Sequence, residues 1–148
     1  LFPYTTLFRS SPLLVSFIPM LMDTGGNCGS QSSTLIIRGI ALGEIQFSDL
    51  FRVMFKEFRV SLIVGVALAL ANGIRILIMY KNAGLALVIG LSLVATIVIS
   101  KLIGCVLPLI AKKLHMDPAI MASPLITTLV DTCSILIYFN IATQVFQL

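Results

Sequence analysis

Charge is what this chain has least of. Only 11% of its 148 residues are Asp, Glu, Lys or Arg, against 58% hydrophobic, and its mean hydropathy is +1.08. A soluble domain clothes its surface with about a quarter charged residues, so a water-facing globule is excluded and a bilayer is the solvent that fits. Histidine is nearly absent: His115 is the single one, in a polar connection, and reads as a solvated loop residue. Cysteine is scarce, and Cys28, Cys105 and Cys133 show no CxxC or Cys/His spacing, which excludes a zinc site and a disulfide framework. They read as small buried hydrophobes. Without a base beside Cys133 or Ser134, nucleophilic catalysis is excluded too, and the chain is not read as an enzyme. The net charge of +4 does not indicate nucleic acid, because the basic residues sit at the ends of apolar runs without aromatic interleaving.

What the chain has is long apolar segments. They cover about Pro12 to Leu42, Val60 to Tyr80, Leu85 to Ala111 with Lys101 inside, and Ala119 to about Leu148 with Asp131 inside. Each can cross a hydrocarbon core of about 30 Å at about 1.5 Å per residue. Between the first two lies "GEIQFSDLFRVMFKEFR". Leu50, Phe51, Met54, Phe55 and Phe58 recur there at helical spacing among Arg52, Lys56, Glu57 and Arg59, which reads as an amphipathic helix on the membrane surface, with Ser48 to cap it. In "KKLHMDP", Asp117 can cap and Pro118 can take a first helical position. The expected fold is therefore all-α: a polytopic membrane helical bundle of four transmembrane helices plus one interfacial amphipathic helix. Lys and Arg counts place the first and third connections in the cytoplasm and both termini outside. The opening "LFPYTTLFRS" matches no helix, cap or signal-peptide pattern, so residues 1–10 read as a non-native leader ahead of a membrane domain at 11–148.

Two polar sets lie inside the apolar segments. A carboxylate at mid-bilayer costs about 2.5–3.5 kcal/mol on insertion scales and persists where it faces a cavity, a partner or an ion. Asp131 is such a group. Ser123, Thr127 and Asp131 stack four apart on one helix face, and Pro124 is expected to bend that helix and free carbonyls for a cation. Arg75 and Lys101 are the candidate salt-bridge partners. The second set is "DTGGNCGSQSS", Asp23 to Ser33. Gly25, Gly26 and Gly29 allow either an unwound turn or close helix packing, and Asn27 and Gln31 supply neutral oxygens. No Lys follows the glycines, so this is not a phosphate loop.

"PMLMDTGGNCGSQSSTLIIRGIALGEI", then a basic amphipathic link, then "HMDPAIMASPLITTLVDTCSILIYF" closely resembles the membrane domain of the MgtE family of magnesium transporters, from Ser11 to Leu148. The resemblance implies a homodimer in the cell membrane with five transmembrane helices per subunit. This chain would carry the last four, without the first helix and the cytoplasmic regulatory domains. It implies that the family's second and fifth helices line an ion path on the two-fold axis. The family's pore carboxylate falls on Asp131 and its carbonyl positions on Thr127 and Ser123, where some members carry Asn at the latter. Gly25, Gly26, Asn27, Gly29, Gln31, Pro124 and Thr128 would form the polar wall. The expected cargo is Mg2+, and the expected partners are a second copy, the lipid bilayer and divalent cations, with no nucleic acid. A proton-coupled secondary transporter of another solute, with Asp131 as proton carrier, is the alternative.

Overall fold

Proline and the polar motif decide how the first apolar segment folds. The computed structural model describes residues 12–121 and 123–147, so the expected leader at 1–10 lies outside the described residues. The segment does not form one helix. A short helix α1, Pro12–Ser16, is followed after Phe17 by α2, Ile18–Ala41. Pro19 sits in the first turn of α2, where its missing N–H leaves no bond unmade. From there α2 runs without a break through Asp23–Ser33, which settles the choice left open by the glycines: the motif is helical and packs closely.

The amphipathic stretch corrects a second expectation. It is not a separate helix lying on the surface. A 3-10 turn, Phe47–Asp49, leads straight into α3, Leu50–Tyr80, so the basic segment and the following span are one helix. No Pro or Gly stands between Leu50 and Val64 to break it. At about 1.5 Å per residue α3 is about 46 Å long, so its first turns project beyond a core of about 30 Å. Ser48 is not its cap; the Asp49 carboxylate instead accepts the Gln46 N–H at 3.0 Å. Lys81, in the left-handed region at φ 50°, ends α3, and the Asn82 side chain accepts the Leu85 N–H at 3.1 Å to start α4, Ala83–Lys113. Asp117 accepts the Ala119 N–H at 2.9 Å and Pro118 opens a 3-10 turn, Pro118–Met121, as their types suggested. The last helix, α5, is Ser123–Phe146. Pro124 stands in its first turn, not in its interior, where a proline has no earlier turn of the helix to break.

Among the described residues there is no strand, and the architecture is an all-α membrane bundle. The segments Phe47–Tyr80, Ala83–Lys113 and Pro124–Phe146 are long and apolar enough to cross a membrane, with mean hydropathies of 2.2, 2.4 and 1.6. α2 is of similar length to α5, but its polar motif lowers its hydropathy. α4 is the central helix, packing on α2, α3 and α5. Apolar clusters close the bundle at both ends. Leu21, Ile76, Leu85, Ile89 and Tyr138 pack at one, and Ile36, Cys105 and Leu109 at the other. Tyr138 donates its hydroxyl to the Leu14 carbonyl at 2.6 Å, tying α5 to α1.

The waist between those clusters is built from small residues. α3 buries Glu57, Ser61 and Gly65 at a spacing of four while Ile63, Leu70 and Ile78 point outward. Small residues allow close backbone approach where apolar attraction gives no drive, since lipid tails are as apolar as Leu.

Candidate functional site

Three glycine faces seat α2 in the groove between α4 and α5. A Cβ on Gly25 would stand 2.7 Å from Thr96 Cγ2 and 2.8 Å from Val130 Cγ1; one on Gly29 would stand 2.8 Å from Ile126 Cγ2. A Cβ on Gly104 of α4 would overlap the Gly29 carbonyl. Gly25 and Gly29 are therefore buried packing positions. Gly26 is different. Its missing Cβ faces α5 directly, 3.1 Å from Thr127 Cγ2 and 4.0 Å from Asp131 Oδ1.

That close approach opens a cleft of about 190 Å3 lined by Met22, Asp23, Gly26, Asn27, Thr127 and Asp131. Of the residues expected at the site, Gly26, Asn27, Thr127 and Asp131 meet there. Asp131 lies about 12 Å along α5 from its start and is half-buried, while Asp23 and Asn27 are exposed. Among the described residues Asp131 makes no ion pair. The two basic candidates are engaged elsewhere: Arg75 donates to Met20 Sδ at 3.7 Å, and Lys101 pairs with Glu57 at 3.5 Å.

The remaining expected positions lie around the cleft rather than in it. Pro124 and Thr128 are exposed on α5. The Pro124 carbonyl accepts the hydroxyls of Thr127 at 3.0 Å and Thr128 at 2.9 Å. The Ser123 side chain lies outside the described residues. Gln31 is exposed one turn beyond Asn27 and accepts from Lys101 Nζ at 3.4 Å. With Asp23, Asn27, Thr34 and Arg38 it forms an exposed polar stripe down one face of α2. Such a stripe, on a helix bedded among membrane-spanning neighbours, calls for water or a polar partner on that side.

Two polar groups are not singled out by the sequence pattern. Asp23 opens a motif dominated by glycines and amides, and it lines the same cleft as Asp131. Glu57 belongs by pattern to the charged residues of the amphipathic segment. It is 6% exposed, and Lys101 is 3% exposed. Ser32 donates to Glu57 Oε2 at 2.6 Å and Lys101 donates to Ser32 at 3.2 Å, so one buried polar knot joins α2, α3 and α4. The signal was the stripe Glu57, Ser61, Gly65, whose spacing of four runs from the basic segment into the apolar one.

No group of three or more His, Cys, Asp or Glu gathers as a metal cage among the described residues. Two carboxylates with amide, hydroxyl and carbonyl oxygens suit a hard cation that keeps its water, not a soft metal held by nitrogen and sulfur.

Comparison with known proteins agrees with this chemistry. Residues 18–141 match the sequence model of the MgtE divalent cation transporter family. The chain is 42% identical over 130 residues to the magnesium transporter MgtE of Bacillus subtilis (strain 168), covering 88% of this chain and 29% of that protein. It is 35% identical over 140 residues to the magnesium transporter MgtE of Thermus thermophilus, covering 94% and 31%. With the magnesium transporter MgtE of Enterococcus faecalis it shares 34% over 141 residues, covering 95% and 31%. The chain thus spans about three tenths of the length of these relatives.

Proposed function

The chain belongs to the MgtE family of divalent cation transporters, a family of transporters and not of enzymes, and we propose on that premise that it forms the ion-conducting part of a magnesium transporter in the cell membrane. Two copies meet about a two-fold axis, with the cleft of each facing the other. Asp131 is the principal cation-binding group. Asp23, Asn27 and the carbonyls of Thr127 and Ser123 complete the wall, and Mg2+ passes down its electrochemical gradient into the cytoplasm.

One observation carries the reading: two carboxylates on one cleft, with neither Arg75 nor Lys101 neutralising Asp131. Ionised carboxylates brought together repel, and a divalent ion between them relieves the repulsion. Ion chemistry supports a hydrated cargo. Mg2+ gives up water reluctantly and takes six ligands. The placing of Pro124 at the start of α5 is compatible with it. With Pro124 in the first turn, the carbonyls ahead of Asp131 keep their helical bonds and offer one lone pair each. That free lone pair can accept a hydrogen bond from an ion's water. Contact through water leaves release fast enough for conduction.

The test replaces the matching 130-residue segment of the Bacillus subtilis transporter with this chain and follows Mg2+ uptake in a strain lacking other uptake routes. Asp131→Ala abolishes uptake at unchanged membrane abundance if the reading holds. Retained uptake overturns it, and so does uptake strictly coupled to proton movement, which marks the secondary transporter instead.

A further inference from the structure

The basic turns of α3 take no part in the cleft, yet they form a site of their own. Arg52, Phe55, Lys56, Arg59, Val60 and Ile63 line a hollow of about 240 Å3. The three cations lie on one helix face, all exposed, and among the described residues none of them is in an ion pair. Arg59 is held with its guanidinium carbon 5.9 Å from the Phe55 ring centroid. Below the cations the wall turns apolar through Val60 and Ile63, the latter 73% exposed.

Depth gives the hollow its meaning. A hydrocarbon core of about 30 Å takes about 20 helical residues. Counted back from Tyr80 at the other end of α3, the core ends near Ser61. Ile63 then lies among acyl chains, Val60 at the boundary, and Arg59, Lys56 and Arg52 at and beyond the level of the phosphates.

We propose that this hollow binds one anionic phospholipid, its phosphate among Arg52, Lys56 and Arg59 and an acyl chain along Phe55, Val60 and Ile63. Three unpaired cations favour a headgroup with net negative charge over a zwitterionic one, whose own ammonium cancels the phosphate. The apolar floor favours a lipid over a free anion, which would leave Val60 and Ile63 unused. The proposal rests on the fold alone, so its failure leaves the transport reading untouched.

The chain contains no Trp, so one introduced at Leu62, beside the hollow but not lining it, reports on the site. Leu62→Trp protein is placed in bilayers of phosphatidylcholine with a minor fraction of phosphatidylglycerol, and either lipid is brominated in turn to quench the fluorescence. Brominated phosphatidylglycerol quenches well beyond its share of the bilayer. Lys56→Gln lowers that preference about fivefold, the effect of about one interfacial charge, and Arg52→Gln/Lys56→Gln/Arg59→Gln removes it. Arg52→Lys/Arg59→Lys, which keeps the charges, retains it. Equal quenching by the two lipids overturns the proposal. So does a preference that survives the triple substitution, or one that inorganic phosphate abolishes, since the latter marks a free-anion site.

Discussion

Glu57→Gln is expected to be costly although it lies outside the cleft. It keeps the side chain's size and an oxygen for Ser32, so packing and the 2.6 Å hydrogen bond have a replacement. What it removes is the negative charge 3.5 Å from Lys101 Nζ. The ammonium is then left at 3% exposure with only the neutral oxygens of Ser32 and Gln31. Removing one partner of a buried ion pair costs about 3–5 kcal/mol, whereas replacing both by neutral groups of similar volume is often nearly neutral. Glu57→Gln and Lys101→Met are each expected to destabilise by about 3 kcal/mol or more, and the double variant by much less than their sum. The assay is reversible unfolding in mixed micelles, followed by loss of helicity and analysed as a double-mutant cycle. Additivity within about 0.5 kcal/mol would show that the two charges are independent, and the buried knot joining three helices would have to be abandoned.

Other outcomes follow from the same geometry. Gly104→Ala drives a methyl into the Gly29 backbone and should destabilise by about 1–3 kcal/mol, as overpacking does, visible in the same unfolding assay. Gly26→Ala meets Thr127 Cγ2 at 3.1 Å and approaches Asp131; it should lower Mg2+ uptake of the chimeric transporter while leaving unfolding within about 1 kcal/mol of the parent, a combination Gly104→Ala does not give. Asn27→Cys, made with Cys28, Cys105 and Cys133 replaced, should render uptake sensitive to Cd2+, a soft metal that seeks thiolates. Ile63→Cys, on the outer face of α3, should not, and equal sensitivity at both would place Asn27 off the path.

Much of the fold was legible because the bilayer reduces it to run lengths: three apolar runs mark α3, α4 and α5 to within a few residues, except where α3 begins. That exception has a physical cause. An amphipathic pattern reads as a surface helix, but only a breaker would end it before Val60, and none is there. Pro124 misled for a related reason, since proline bends a helix interior and starts a helix at its first turn, and the helix start could not be read from a continuous apolar run. The cleft was half legible. Asp131 stands out as a lone carboxylate in hydrocarbon, and Gly26 and Asn27 lie in an evident motif. Gly25 and Gly29 share that motif but turn away from Asp131, because successive helical residues are rotated by about 100° and only packing tells which face meets α5. The stripe Glu57, Ser61, Gly65 turns Glu57 inward, but its pairing with Lys101 was hidden, being a contact between helices that no spacing within one helix encodes.

The central claim is that the carboxylates of one cleft hold a divalent cation. Calorimetric titration of Mg2+ into the purified chain in lipid nanodiscs, compared with Asp131→Asn and Asp23→Asn, tests it most directly. Asn preserves size and removes only charge. The account predicts that binding disappears in Asp131→Asn and weakens in Asp23→Asn; binding that is unchanged in Asp131→Asn would contradict it.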